Sequence, residues 1–325
     1  MVFRNKRVLV TGGTGSLGKV LISRIIGSNF AKHIVTFSRC EEKSVAIRSM
    51  YSGVKAYIGD IRDVDSVKKC IAVEKPDIII NAVALKNVPE CEDYPLEAIK
   101  TNALGARNIV EAIECSDLDS VRCLAISTDK VVEAVSTYGM TKALQERLWM
   151  RGMGSCIFNL VRYCNVLESR GSVIPFFKKQ LEDGKNLTIT NVNMTRFFMS
   201  LDESVDLIFS ALEDQKGKQI FIPKVKSAKL YDLAELLIEM SGKNVDIVVS
   251  GIRPGEKIHE SLISEEENRR TEETENLLIV HDILSPHVDY NSEFLKKVSK
   301  YSSNSEYCIM NKEELKIFLS ERKIL

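Results

Sequence analysis

Two acid–base pairs lie within fifteen residues of each other, Asp129-Lys130 and Tyr138-x-x-x-Lys142. If Tyr138 opens a helix, Lys142 lies one turn further along the same face. A free tyrosine keeps its proton up to a pH of about 10. A lysine one turn away, with a cationic ring nearby, favours the phenolate. Such a phenolate can take a hydroxyl proton while hydride leaves the same carbon. Asp129 and Lys130 follow an apolar run that ends at Ser127. Neighbouring residues of a regular strand point to opposite faces, so the chain must leave strand geometry here for both to serve one substrate. Side by side they would ordinarily form an ion pair. Acid–base work calls for a neutral carboxyl or a neutral amine, which only their surroundings can provide. The plainer readings are an exposed pair at a strand end and a chance tyrosine–lysine spacing.

The elements around these groups argue for chemistry. Arg7-Val8-Leu9-Val10 runs into Thr11-Gly12-Gly13-Thr14-Gly15-Ser16-Leu17-Gly18 and then a helical pattern with Val20, Leu21 and Ile25. Strand, glycine-rich turn and helix in this order form a phosphate cradle, with the helix N-terminus offering free N–H groups. The run Ile34-Val35-Thr36-Phe37 ends in Ser38-Arg39, where an acid would meet a ribose 2′-hydroxyl. With no acid ending the run, and Lys43 close by, the pattern favours a 2′-phosphate and so NADP. Further apolar runs at 54–58, 77–80, 122–126 and 156–161 alternate with helical patterns such as 96–115. This predicts α/β architecture, a Rossmann-type doubly wound parallel sheet. Asp60, after the third strand, is placed either to reach an adenine amino group or to cap the next turn.

Beyond about residue 165 the elements shorten. The predicted division is a dinucleotide-binding part over 1–167, rejoined by 200–224, and a nucleotide-sugar-binding lobe over 168–199 and 225–325. Residues 264–275 are so highly charged that they read as a solvated surface segment. With 45 basic and 45 acidic residues, bulk charge recognises neither nucleic acid nor an anionic membrane. No apolar run approaches the roughly 18 to 20 residues that span a bilayer. The first strand begins almost at once, so no cleavable signal is expected. Eight scattered cysteines without a CxxC pair fit a reducing, cytoplasmic setting. The four histidines show no metal-ligand spacing, so no metal is expected.

Thr11-Gly12-x-x-Gly15-x-x-Gly18 with Tyr138-x-x-x-Lys142 resembles the extended short-chain dehydrogenase/reductases. Ala84-Leu85-Lys86, Lys100-Thr101-Asn102, Ser127-Thr128-Asp129-Lys130, Val161-Arg162-Tyr163-x-Asn165, Ser169-Arg170-Gly171, Met194-Thr195-Arg196-Phe197 and Gly251-Ile252-Arg253-Pro254-Gly255-Glu256-Lys257 resemble the soluble, C5-inverting UDP-N-acetylglucosamine 4,6-dehydratases. The likeness runs over about residues 5–262 and weakens in the last sixty.

The resemblance implies a lyase working with tightly held NADP. Tyr138 would take the O4 proton as C4 gives up hydride. Lys130 would remove the C5 proton while Asp129 helps O6 leave as water. Hydride would return to C6, and C5 would be reprotonated from the opposite face. Thr128 would hold the ketone oxygen. The implied cofactor contacts are Thr11, Gly12, Gly15, Ser16, Leu17, Gly18, Ser38, Arg39, Lys43, Asp60, Ile61, Ala82, Ala84, Lys86, Tyr138 and Lys142. Lys86, Asn165, Arg196, Arg253 and Glu256 would hold the sugar and UDP, since arginine suits pyrophosphate and a carboxylate suits ribose hydroxyls. A homo-oligomer, from dimer to hexamer, is implied as well. Departures from the family pattern are Cys40 for an aspartate, Asn81 for a histidine, Glu133-Ala134-Val135-Ser136 for Asn-Pro-Ile-Asn, and Cys164 and Glu168 for glycines. A 4-epimerase or reductase would need Tyr138 and Lys142 but not Asp129-Lys130. A non-catalytic dinucleotide sensor would lack the tyrosine or the lysine.

Overall fold

The computed structural model describes residues 2–28, 31–169, 171–285 and 293–324. Arg170 of the Ser169-Arg170-Gly171 motif and His287 lie outside them. The apolar runs form strands that feed helices in regular alternation. β1 (Arg7–Thr11) leads to α1 (Ser16–Gly27), β2 (His33–Ser38) to α2 (Glu41–Met50), and β3 (Val54–Ile58) to α3 (Val64–Glu74). β4 (Ile78–Asn81) leads to α4 (Val88–Asp93), α5 (Pro95–Ala98) and, through a π-helical stretch at Ile99–Leu104, α6 (Gly105–Glu114). β5 (Arg122–Thr128), α7 (Thr137–Trp149) and β6 (Ile157–Tyr163) follow.

Shorter elements come next. They are β7 (Asn165–Val166), α8 (Val173–Glu182), β8 (Leu187–Ile189), β9 (Thr195–Met199), α9 (Leu201–Glu213), β10 (Gln219–Pro223) and β11 (Ser227–Lys229). Then come α10 (Leu230–Ser241), β12 (Ile247–Val249), β13 (Ser261–Ile263), α11 (Glu265–Asn268), β14 (Thr271–Glu273) and β15 (Leu277–His281). The last are α12 (Glu293–Lys297), β16 (Tyr301–Ser302) and α13 (Lys312–Glu321).

Among the described residues nine strands form one sheet in the order β14-β15-β10-β6-β5-β4-β1-β2-β3. Its neighbours are parallel from β3 to β10, and β15 and β14 join antiparallel. Both faces are covered, which explains the unbroken apolar runs. Val8 and Val10 pack with Leu21, Ile22 and Ile25 on one side, and Leu9 packs with Ile71 and Ile109 on the other. The chain reverses direction across the sheet between β1 and β4, and ligands of such sheets bind beyond the strand ends at that point.

β10 lies in this sheet, and so do β14 and β15, which come from the range expected in the lobe. A separate core joins Phe177, Leu187, Phe198, Leu233, Leu315 and Leu319. Residues of α13 therefore help to build this second core.

The charged segment 264–275 is not simply solvated. It folds as α11 and β14 and sends Glu267 inward. Arg162, 1% exposed, donates to Glu146 from Nε at 3.1 Å and Nη2 at 2.7 Å. It also donates to both Glu267 oxygens at 2.8 and 2.9 Å, and to the Leu262 carbonyl at 2.8 Å. Burial alone would raise the Glu267 carboxyl, but Arg162 outweighs it and holds the group down at about 2. The folded group titrates below its ordinary 4.5, so its contribution is present above pH 4.5 and is lost as pH falls toward 2. Glu267→Gln is expected to destabilise the fold by about 3 kcal/mol at neutral pH and to flatten that acid loss. Urea unfolding across the pH range checks both.

Candidate active site

The turn after β1 is built by steric demand. Gly12 has φ +72, and a Cβ there would lie 2.9 Å from the Ala82 carbonyl. The Thr11 hydroxyl donates to Asn81 Oδ1 at 2.7 Å, tying β1 to β4. A Cβ on Gly15 would meet only the Gly12 carbonyl oxygen within 4 Å, so the outer face of the turn is open. Gly15 caps α1 without a side-chain bond, and no acid stands in the helix's first turn. A pyrophosphate fits such a cradle on space and on charge. Ser16 is exposed and Leu17 half-buried at the helix start, and Gly18 packs against Gly13.

Ser38 and Arg39 lie at the end of β2, and Lys43 is exposed in the first turn of α2. Arg39 reaches Asp60 at 3.7 Å, and Arg62 grips the same carboxylate from Nε and Nη2. Burial would raise Asp60, but the Arg62 bonds prevail and lower it. Ile61 is a core residue, 3% exposed, with its carbonyl taken by Asn108. Ala82 is half-buried, and Ala84 and Lys86 are exposed on the loop after β4. Asn102, fully buried, pins that loop by accepting from Leu85 N at 2.8 Å and donating to Leu85 O at 3.0 Å. Its amide also donates to the Thr141 hydroxyl on α7 at 3.0 Å.

At the end of β5 the backbone turns into a single 3₁₀ turn, Asp129–Val131. This places the Asp129 and Lys130 side chains together, with Nζ 3.0 Å from Oδ1. The Thr128 hydroxyl donates to the same oxygen at 2.9 Å. Asp129 is fully buried, and its Oδ2 has no hydrogen-bond partner. α7 starts against this turn. A Cβ on Gly139 would lie 2.2 Å from the Lys130 carbonyl oxygen, so only glycine permits the approach. Ser136 caps the helix by accepting from Gly139 N at 3.1 Å, and Glu92 accepts from Thr137 N at 2.7 Å.

Burial pushes the Tyr138 phenol up to about 12, against the charge of Lys130 and a bond with Thr128. Lys142, one turn along α7 from Tyr138, is turned toward β5. Its amine donates to the Ile126 carbonyl at 2.6 Å and to Gln145, and burial brings it down to about 7. The strand-end carbonyl captures it.

Glu260, which the sequence reading missed, stands 3.4 Å from Lys130 Nζ as a second acid beside Asp129. The signal was an acid entering the wholly buried β13, since such a carboxylate needs a partner. Asn165 Oδ1 accepts from the same amine at 3.4 Å. Burial alone would discharge Lys130, but Asp129 and Glu260 reverse this and raise it above its ordinary value.

Arg196 is buried and donates to the carbonyls of Thr195, Ile258 and Lys257 at 2.7, 3.0 and 2.9 Å. These bonds tie β9 to the backbone of residues 257 and 258. Glu256 accepts from Arg253 N at 3.3 Å, and Arg253 itself is exposed.

Two departures from the family pattern, Glu133 and Glu168, adopt positive φ of 49° and 55°. They keep the left-handed turns that asparagine and glycine suit, at roughly 1 kcal/mol each.

Among the described residues no helix is long and apolar enough to cross a membrane, and no cluster could hold a metal. The chain matches the polysaccharide biosynthesis protein family over residues 8–282. It is 38% identical to the UDP-N-acetylglucosamine 4,6-dehydratase (inverting) of Campylobacter jejuni, over 94% of this chain and 89% of that one. It is 42% identical to the UDP-glucose 4-epimerase of Rickettsia typhi, over 84% of this chain and 82% of that one. The solved structure of Pen from Bacillus thuringiensis is similar with TM-score 0.88 at 30% identity, covering 99% of this chain and 100% of that one. The glycine turn, the tyrosine–lysine helix and these matches agree: the chain belongs to the polysaccharide biosynthesis protein family of extended short-chain dehydrogenase/reductases.

Proposed function

We propose that the chain is a UDP-N-acetylglucosamine 4,6-dehydratase that inverts C5 and works with NADP. The observation that carries this is the single turn holding Asp129 and Lys130 at 3.0 Å, within electrostatic reach of Tyr138. In this reading residues 1–167 and 200–224 hold the dinucleotide, and 168–199 with 225–325 hold the sugar nucleotide. The glycine turn holds the pyrophosphate, and Ser38, Arg39 and Lys43 hold the 2′-phosphate. Bound there, a nicotinamide would supply a positive charge and the hydride acceptor and donor that C4 and C6 require.

With that positive charge beside it, Tyr138 as the phenolate takes the O4 proton, and the Thr128 hydroxyl, turned from Asp129, steadies the oxygen that becomes a ketone. The ketone acidifies C5. A proton passing across the Lys130–Asp129 bond leaves a neutral amine and a neutral acid. The amine takes the C5 proton, and the acid gives its proton to O6, which departs as water. Asp129 Oδ2, unpartnered in the protein, is available for that oxygen. A proton returned to the opposite face at C5 completes a change of one lost water. Lys86, Asn165, Arg253 and Glu256 bind the substrate around this centre, with Arg196 bracing the loop. A homo-oligomer between dimer and hexamer is part of this reading, and exposed Met140 and Leu144, one turn apart on α7, offer it an apolar contact.

The second reading is a 4-epimerase, favoured by the 42% identity to the Rickettsia enzyme. It would use Tyr138 and Lys142 and leave Asp129-Lys130 idle. Incubation with UDP-N-acetylglucosamine in deuterated water separates the two. The expected product has lost water, carries deuterium at C5 and shows inverted ring couplings there by NMR. A product of unchanged composition, altered only at C4, replaces this reading with the epimerase. Mass spectrometry of the released cofactor is expected to show NADP, and NAD would reject the 2′-phosphate assignment.

A further inference from the structure

We propose that Glu260 is a positioning residue for the Lys130 amine, clamped in place by the strap 301–303; this rests on the dehydratase reading. Its side chain is 3% exposed, with Oε1 3.4 Å from Lys130 Nζ and Oε2 3.0 Å from Lys257 Nζ. Lys257 in turn donates to the Val132 carbonyl at 2.8 Å, just beyond the catalytic turn. The acid and its lysine therefore bracket that turn.

The strap holds Glu260 through its backbone. Glu260 N donates to Ser303 Oγ at 3.0 Å, and Ser303 N donates back to Glu260 O at 2.8 Å. Ser303 Oγ also bonds the Thr195 hydroxyl at 2.7 Å, and that hydroxyl bonds His259 Nδ1 at 2.9 Å. β16 pairs with β13, the strand that Glu260 enters. Stability does not ask for such a carboxylate. Burying an ion pair is often no better than burying apolar side chains of the same size. Without Glu260 the amine would keep only Asp129 at 3.0 Å and the longer, neutral Asn165 contact at 3.4 Å. A second acid fixes the amine between two points, so it meets a C–H bond in one geometry, and misplacement by about 1 Å can cost a hundredfold in rate.

The charged and titratable groups around the amine are Asp129 on its own turn, Glu260 and Lys257 from the 251–260 loop, Arg196 from β9, Tyr138 from α7, and the Cys164 thiol between β6 and β7. Removing the Glu260 charge leaves Asp129 opposed by Arg196 and Lys257. The amine then loses its proton at lower pH. In Glu260→Gln, kcat for dehydration is expected to fall about ten- to hundredfold with little change in KM. The acid limb of the pH–rate profile should move down by about one unit. The C4 hydride step, read as transient reduced-nicotinamide absorbance, should persist. Ser303→Ala keeps every charge, so it should slow dehydration without moving the limb. Glu260→Asp should restore the limb and only part of the rate.

Labelling of Lys130 by acetic anhydride across pH, mapped by mass spectrometry, reads the amine without turnover. Its midpoint should drop in Glu260→Gln and hold in Ser303→Ala. A folded Glu260→Gln with the wild-type midpoint overturns the proposal, as does one with unchanged rate and limb in an active enzyme. If wild type forms no dehydrated product, the reaction reading fails, and the labelling still decides the placement. If Glu260→Gln does not fold, Glu260→Asp and Ser303→Ala decide it: both must slow elimination more than the C4 step, and neither doing so overturns it.

Discussion

Lys130→Arg is expected to fold as wild type does and to release no water from UDP-N-acetylglucosamine. Arginine keeps the positive charge that two buried acids, Asp129 and Glu260, require. It cannot shed a proton in a protein, so it cannot serve as a base. Loss of a general base typically costs 10²- to 10⁴-fold, and a drop of about a thousandfold is expected here. Lys130→Ala should be as inactive and also less stable, because it strands those acids. The C4 step does not use the amine as a base. Reduced-nicotinamide absorbance should therefore rise and stay in Lys130→Arg during a single turnover. Normal dehydration by this variant would remove Lys130 from the role.

Tyr138→Phe is expected to give the opposite signature. Without the phenol no group takes the O4 proton, and the reduced-nicotinamide transient should vanish together with the product. The loss should reach about 10³-fold. The ring is 9% exposed and phenylalanine fills the same space, so unfolding temperature should barely move. A persisting transient in this variant would assign the first proton transfer to another residue. Together the two variants divide the reaction at the ketone: one stops before it and the other after it.

Much of this was legible in the chain. Alternating apolar runs named the parallel strands because covered sheets need them. The glycine spacing marked the nucleotide turn because backbone has to approach backbone there. The break after Ser127 followed from the demand that Asp129 and Lys130 share a side, and the 3₁₀ turn meets it. What stayed hidden depends on which distant segments fold back. Glu260 is 130 residues from Lys130, and no local pattern ties them. The aim of Lys142 at Ile126 depends on how closely α7 rides over β5. The bonds of Arg196 to the carbonyls of Lys257 and Ile258 join segments more than sixty residues apart. Segment 264–275 looked solvated because composition does not show that Glu267 meets a buried Arg162.

The clamp of Glu260 by residues 301–303 bears on how the protein is made. Ribosomes deliver roughly 5–20 residues per second, N-terminus first. The nucleotide turn and Asn81, which braces it, emerge early. Ser303 follows more than two hundred residues later, after roughly 10–40 s. A nascent chain short of that point carries Tyr138, Asp129 and Lys130, and lacks the piece that locks Glu260 beside the amine. In the dehydratase reading the groups of the redox half can come together earlier in translation, whereas those of the elimination half wait until Ser303 has emerged.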